Sequence, residues 1–305
     1  MRPRTYSHSG VVTPQGLLLG LVAGLAGGLV LGAVYGFVIF INPFIYVSVL
    51  ATVAFGVAMG FLVAKTMKAG KVRNAFAVAA VALLAAAFAH AVGWLVWLAK
   101  FMEDVEDFEA VYLLDPEVLF LLIAEINELG PWSIRNSEPV SGWFLWAIWG
   151  LEALIVLGGA TGYAYLTAAE GVFCEPCGRW CSDDQVLLVL SAAPEHETTR
   201  LKAFEGDLDA IEQLPPPEAA DSRYVTVKVA RCEHCGKTNT LSLVEVQHTV
   251  NSKGEDEQSE TVHLDHALIS KEQLERLERH AAAQMEEGDD FDDDEETFEV
   301  ADGAA

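Results

Sequence analysis

Five cysteines fall in two short stretches: Cys174, Cys177 and Cys181 in FCEPCGRWC, and Cys232 and Cys235 in RCEHCGK. A CxxC turn lets two thiolates reach one ion, and the glycine after each pair, Gly178 or Gly236, tolerates the tight backbone. Four sulfurs complete the tetrahedral set that zinc favours, so Cys174, Cys177, Cys232 and Cys235 are the candidate ligands. Cys181 is left over; it could be a core thiol or replace one ligand, with His196 and His234 as weaker substitutes. A closed four-thiolate site has no open coordination position, so its expected role is structural.

The two CxxC-Gly pairs resemble the paired knuckles of zinc-ribbon proteins, here carried on a multipass membrane protein of bacterial type. The resemblance covers the knuckles and the general layout; it implies a structural metal and brings no activity with it. The spacing departs from the pattern, because 54 residues separate Cys177 from Cys232 where compact ribbons need about 15 to 20. An inserted unit must fill the gap. A rubredoxin-like iron site would use the same ligands. A redox reading of CEPC lacks the surrounding βαβ pattern and leaves the second CxxC unexplained.

The elements around the cysteines are short. HETTRLKAFEGDLDAIEQL, 196–214, reads as helical, and the prolines at 215–217 end it. RYVTVKVA before the second knuckle and NTLSLVEVQHTV after it alternate as strands do, and ETVHLDHALI supplies another. SKEQLERLERHAAAQ, 270–284, reads as a final helix capped by Ser270. The acidic tail, 286–305, is expected to be disordered.

The chain is 52% hydrophobic yet carries a net charge of −25, which requires the two properties to occupy different regions. Residues 170–305 hold 33 acidic and 11 basic residues, whereas four apolar segments at about 16–41, 44–64, 75–99 and 143–167 precede them. Each is long enough to cross a bilayer. The first is too long for a signal-peptide core and lacks a cleavage site of small residues, so it reads as retained. Arg2, Arg4, Lys65, Lys68, Lys71 and Arg73 flank one side of the spans, and residues 100–142 carry ten acids against Lys100 and Arg135 on the other. That bias places both termini and all five cysteines in the cytoplasm, consistent with thiols kept reduced for metal. Trp94, Trp97, Trp143, Trp146 and Trp149 form an outer aromatic belt. Within the outer loop, Asp115, Pro116 and Gly130 punctuate an amphipathic helix at about 116–129, too short to span, that is expected to lie on the bilayer surface or cap the bundle, with a re-entrant segment or ligand lid as the alternative.

Two features lie inside the spans. Gly16, Gly20, Gly24, Gly28, Gly32 and Gly36 recur every fourth residue, and Gly56 and Gly60 repeat the spacing in the second segment. In lipid such glycines read as packing surfaces. A fourfold step drifts about 40° each time around the helix, so the ladder should meet at least two helices, in this chain or in a second copy. His90 and Glu152 sit near mid-membrane and form a candidate polar pair, which could fix helix register or serve a transporter, channel subunit or proton-coupled sensor. No nucleotide loop, nucleophile elbow, HExxH or kinase signature is found, so no enzyme is expected.

The sequence therefore specifies an α-helical membrane bundle of four transmembrane helices, 16–169, after a cytoplasmic N-terminus, 1–15. A small α+β zinc-ribbon-like cytosolic domain, 170–285, and the acidic tail follow. Its acidity opposes nucleic-acid binding; the expected role is protein interaction or membrane organisation in a bacterial inner membrane, with structural zinc, or alternatively iron, as cofactor.

Overall fold

The computed structural model describes residues 3–105, 108–133, 138–218, 221–251 and 254–292, with the side chains of 286–292 outside that description. Two compact units emerge: Ser9–Glu170, and Met1–His8 together with Gly171–Ala305.

The first unit is helical. α1 (Pro14–Ile41), α2 (Ile45–Ala69), α3 (Ala75–Phe101) and α5 (Gly142–Ala168) are long and apolar enough to cross a membrane. Thr13 caps α1 and Asn74 caps α3 through side-chain oxygens. α2 runs past the expected end at 64 to Ala69, carrying Lys65 and Lys68 on its last turns. There long cationic side chains can lay their stems along apolar surface; Lys65 Nζ stands 5.7 Å from the Phe61 ring. α1 and α5 each pack on both α2 and α3, which also touch each other. Leu18, Val30, Leu50 and Leu154 remain exposed, as lipid-facing side chains of a bundle would be.

Small residues set the approach of these helices. Gly16 faces Val72 just beyond α2, Gly20 faces Met67 on its last turn, Gly24 faces Val63 and Ala85, and Gly28, Gly32 and Gly36 face Ala89 and Gly93 of α3. A side chain at Gly32 or Gly36 would run into the carbonyl of Ala89 or Gly93. Gly56 and Gly60 meet the backbone of Val156 and Ala160 in the same way, which joins α2 to α5.

α4 (Pro116–Leu129) starts at Asp115, whose carboxylate accepts the Glu117 N–H, and ends at Gly130. Its Leu119, Leu122, Ile123 and Ile126 pack with Trp94, Leu98 and Trp149, so it caps one end of the bundle.

The second unit is built on a four-stranded antiparallel sheet in the order β3 (Gln185–Ser191), β4 (Arg223–Arg231), β5 (Asn239–Val250), β6 (Asp256–Ile269). A two-stranded hairpin, β1 (Phe173–Cys174) and β2 (Arg179–Trp180), precedes it. The helical stretch 196–214 is two helices, α6 (Glu197–Phe204) and α7 (Leu208–Glu212), broken at Gly206, whose φ of 89° a side chain rarely adopts. α6, α7 and α8 (Lys271–Asp292) cover one sheet face: Ala203, Ile211, Leu274 and Leu277 close over Leu190, Val227 and Leu243. α8 extends beyond the expected 270–284 into the segment assigned to the tail, and residues 293–305 lie outside the described residues.

A segment expected only as a cytoplasmic terminus joins this sheet. Thr5 bridges to Ala267, Tyr6 N–H donates to the His266 carbonyl, and Leu268 N–H donates to the Arg4 carbonyl.

Candidate metal centre

Each cysteine pair sits on a hairpin. Cys174 ends β1 and Cys177 lies in the turn to β2, where Gly178 has a φ of 60° and donates its N–H to the Glu175 carbonyl. Cys232 and Cys235 occupy the connection from β4 to β5. There Cys232 N–H donates to the Thr238 carbonyl at 2.9 Å, Gly236 N–H to the Cys232 carbonyl at 2.8 Å, and Gly236 has a φ of 61°. The 54 residues between the knuckles are thus no appendage: they supply β2, β3, α6, α7 and β4, and so half of the main sheet.

One ligand atom from each of Cys174, Cys177, Cys232 and Cys235 lies within 4.8 Å of all the others, and Cys174 and Cys235 approach to 3.6 Å. All five cysteines are free thiols. This cluster could hold one metal ion. Cys174 and Cys232 are buried, and Cys177 and Cys235 are half-buried. Backbone and hydroxyl groups already point at the sulfurs: Lys237 N–H donates to Cys235 Sγ at 3.5 Å, and Thr238 Oγ1 to Cys174 Sγ at 3.3 Å. Such donors stabilise thiolate charge.

The metal-free thiols differ in acidity accordingly. The Lys237 N–H and then the Cys177 thiol draw Cys235 down to about 7, and the hydrogen bond to Cys235 pushes Cys177 up to about 12. Burial raises Cys174. A cation held by all four sulfurs would displace the protons they carry.

Cys181 stands beside the cluster rather than in it. Its N–H donates to the Val172 carbonyl, its sulfur lies 4.0 Å from the Thr238 carbonyl, and burial pushes its thiol up to about 12. His196 and His234 are absent from the cluster.

Sequence reasoning missed the support beneath the first knuckle. The Tyr6 hydroxyl accepts the Phe173 N–H at 3.0 Å, next to Cys174, and His8 meets the edge of Trp180 at 5.8 Å between centroids. Tyr6 and Phe173 are 167 positions apart, and no local pattern links them.

Inside the bundle, His90 and Glu152 have different partners. Trp94 Nε1 donates to His90 Nε2 at 3.2 Å within α3, whereas Tyr35 donates to Glu152 Oε1 at 2.7 Å and lies 2.9 Å from Thr52 Oγ1. No hydrogen bond or ion pair joins His90 to Glu152 among the described residues. Equal depth did not bring them together, because each ring or carboxyl follows its helix's rotation, and Tyr35 on α1 reaches Glu152 first.

No protein-family model matches the chain, and no match was found among curated proteins or solved structures.

Proposed function

We propose that this chain is an integral membrane protein of a bacterial inner membrane, with both ends in the cytoplasm. Its second unit folds around one structural zinc ion and binds a protein partner. The observation that carries the reading is the convergence of four thiols from two hairpins, all within 4.8 Å. Four thiolates fill a tetrahedral ion's coordination, so the metal would fasten the β1–β2 turn to the β4–β5 turn and leave no position for substrate. The orientation rests on Lys65, Lys68, Lys71 and Arg73 on one side of the spans and the acid-rich 100–142 connection on the other. The excess of acidic residues from 170 onward disfavours phosphate backbones and leaves protein surfaces as the fitting partner.

Elemental mass spectrometry on reduced, detergent-purified protein tests the metal, with a Cys232→Ala, Cys235→Ala variant alongside. The expected result is about one zinc per chain, lost in the variant. Iron in its place would replace the cofactor while keeping the site; no metal would overturn the reading and leave thiol redox chemistry to account for the cysteines.

A further inference from the structure

At the α4 end of the helical unit, a cavity of ≈ 680 Å³ opens among the spans. That volume suits a small-molecule ligand. Trp94 and Trp97 of α3, Trp149 of α5 and Tyr35 of α1 line it, and Glu152 is the only charged lining residue among the described residues. No lysine, arginine or histidine faces it among the described residues.

The position of Glu152 makes this combination selective. It lies ten residues into α5, about 15 Å along the helix and far from either end. Tyr35 occupies Oε1, and the same hydroxyl is within hydrogen-bond distance of Thr52. Oε2 has no hydrogen-bond partner among the described residues. A carboxylate at such depth requires a counter-charge when ionised. Indole and phenol faces carry negative potential that attracts cations, tryptophan most strongly. Carboxylate and rings thus favour ligands of the same sign. A hard metal cation would demand several oxygen ligands in a close shell, but four indoles, those of Trp94, Trp97, Trp132 and Trp149, beside a single carboxylate supply mainly aromatic surface. A diffuse organic cation suits both.

We propose that this cavity binds a hydrophobic organic monocation, a quaternary ammonium or protonated amine with an apolar body. The cationic head lies beside Glu152 Oε2 and the body against Trp94, Trp97 and Trp149. This inference is independent of the cysteine cluster, since it uses only residues of the helical unit.

The test uses the full chain in lipid nanodiscs with two probes of the same shape: benzyltrimethylammonium, and neopentylbenzene, its neutral carbon counterpart. Binding is followed by tryptophan fluorescence and calorimetry. Saturable binding of the cation is expected, weakened at least tenfold by Glu152→Gln, with the neutral probe unaffected. Tyr35→Phe, which removes the donor to Oε1 and keeps the ring, should leave cation affinity equal or higher. Trp97→Leu should weaken the cation several-fold and provides the reading if Glu152→Gln does not fold. Equal affinity for the two probes, or cation binding unchanged in Glu152→Gln or in Trp97→Leu, would overturn the proposal and assign the cavity to lipid chains.

Discussion

The Tyr6 hydroxyl accepts the backbone N–H of Phe173 at 3.0 Å, directly before the first cysteine of the cluster. Tyr6→Phe keeps the ring and deletes the acceptor of the Phe173 N–H at the base of the knuckle. A net loss of about 1 kcal/mol is expected. Metal transfer to a competing chelator should then be several-fold faster than from wild type, and an unchanged transfer rate would show that the knuckle stands without this brace.

His266 links pH to the stability of the sheet. It has a φ of 43°, and Asp184 at 3.4 Å and Asp265 at 2.6 Å raise its pKa to about 9 from the ordinary 6.5. Because the folded value is the higher one, its contribution is fully present below about 6.5 and disappears as pH rises through 9. Asp265 is well exposed, so the size is on the order of 1 kcal/mol. His266→Asn, a residue that tolerates the left-handed backbone, should flatten the decline of stability between pH 6.5 and 9 in thermal melts.

Gly60 touches the backbone of Ala160, whereas Gly150 has open space where a side chain would project. Gly60→Leu should therefore push α2 from α5 and cost about 1–3 kcal/mol by overpacking. Gly150→Leu serves as the matched control. A lower melting temperature in detergent for the first variant alone is expected; equal effects would mean that the α2–α5 contact tolerates separation.

Glu245 is buried on β5, bonded to Arg223 and, at 2.6 Å, to His263. Burial pushes its carboxyl up, and Arg223 and His263 outweigh that effect to hold it below the usual range. A depressed carboxyl stabilises the fold above its unfolded pKa and ceases to do so as pH falls through the folded one. Glu245→Gln should cost on the order of 2 kcal/mol, less than a fully buried pair because Arg223 is half-exposed. Faster hydrogen exchange across β4 and β5 at neutral pH, converging with wild type in acid, is the expected signature.

What the sequence made legible was what repeats locally. Charge-free apolar runs announce helices long enough to span, and CxxC followed by glycine announces a candidate metal turn, since each depends only on neighbours in the chain. β5 was legible because NTLSLVEVQHTV alternates; β3 was not, because QVLLVLS is an apolar run without alternation, a pattern that strands and buried helices share. Glu245 stood in a strand with no sign that Arg223 and His263 would arrive beside it. Tyr35 was hidden for a related reason: depth along a helix is readable from residue count, but which way a side chain turns depends on packing. The ladder of small residues in α1 lets that helix approach its neighbours, and Tyr35, one position before Gly36, then reaches Glu152.

The bridge from Thr5 to Ala267 also constrains the order of biogenesis. The first of these residues leaves the ribosome before these four spans, and the second only after all four have been made. Until then β6 has not been synthesised, and once it is, its free edge is a template for strands of other chains. Covering of the 266–268 end of that edge by residues 4–6 joins segments on either side of all four spans, which makes it one of the slowest contacts to form. A fusion or tag at the N-terminus would act on this last step, and its effect would appear as edge-to-edge aggregation rather than as failed membrane insertion.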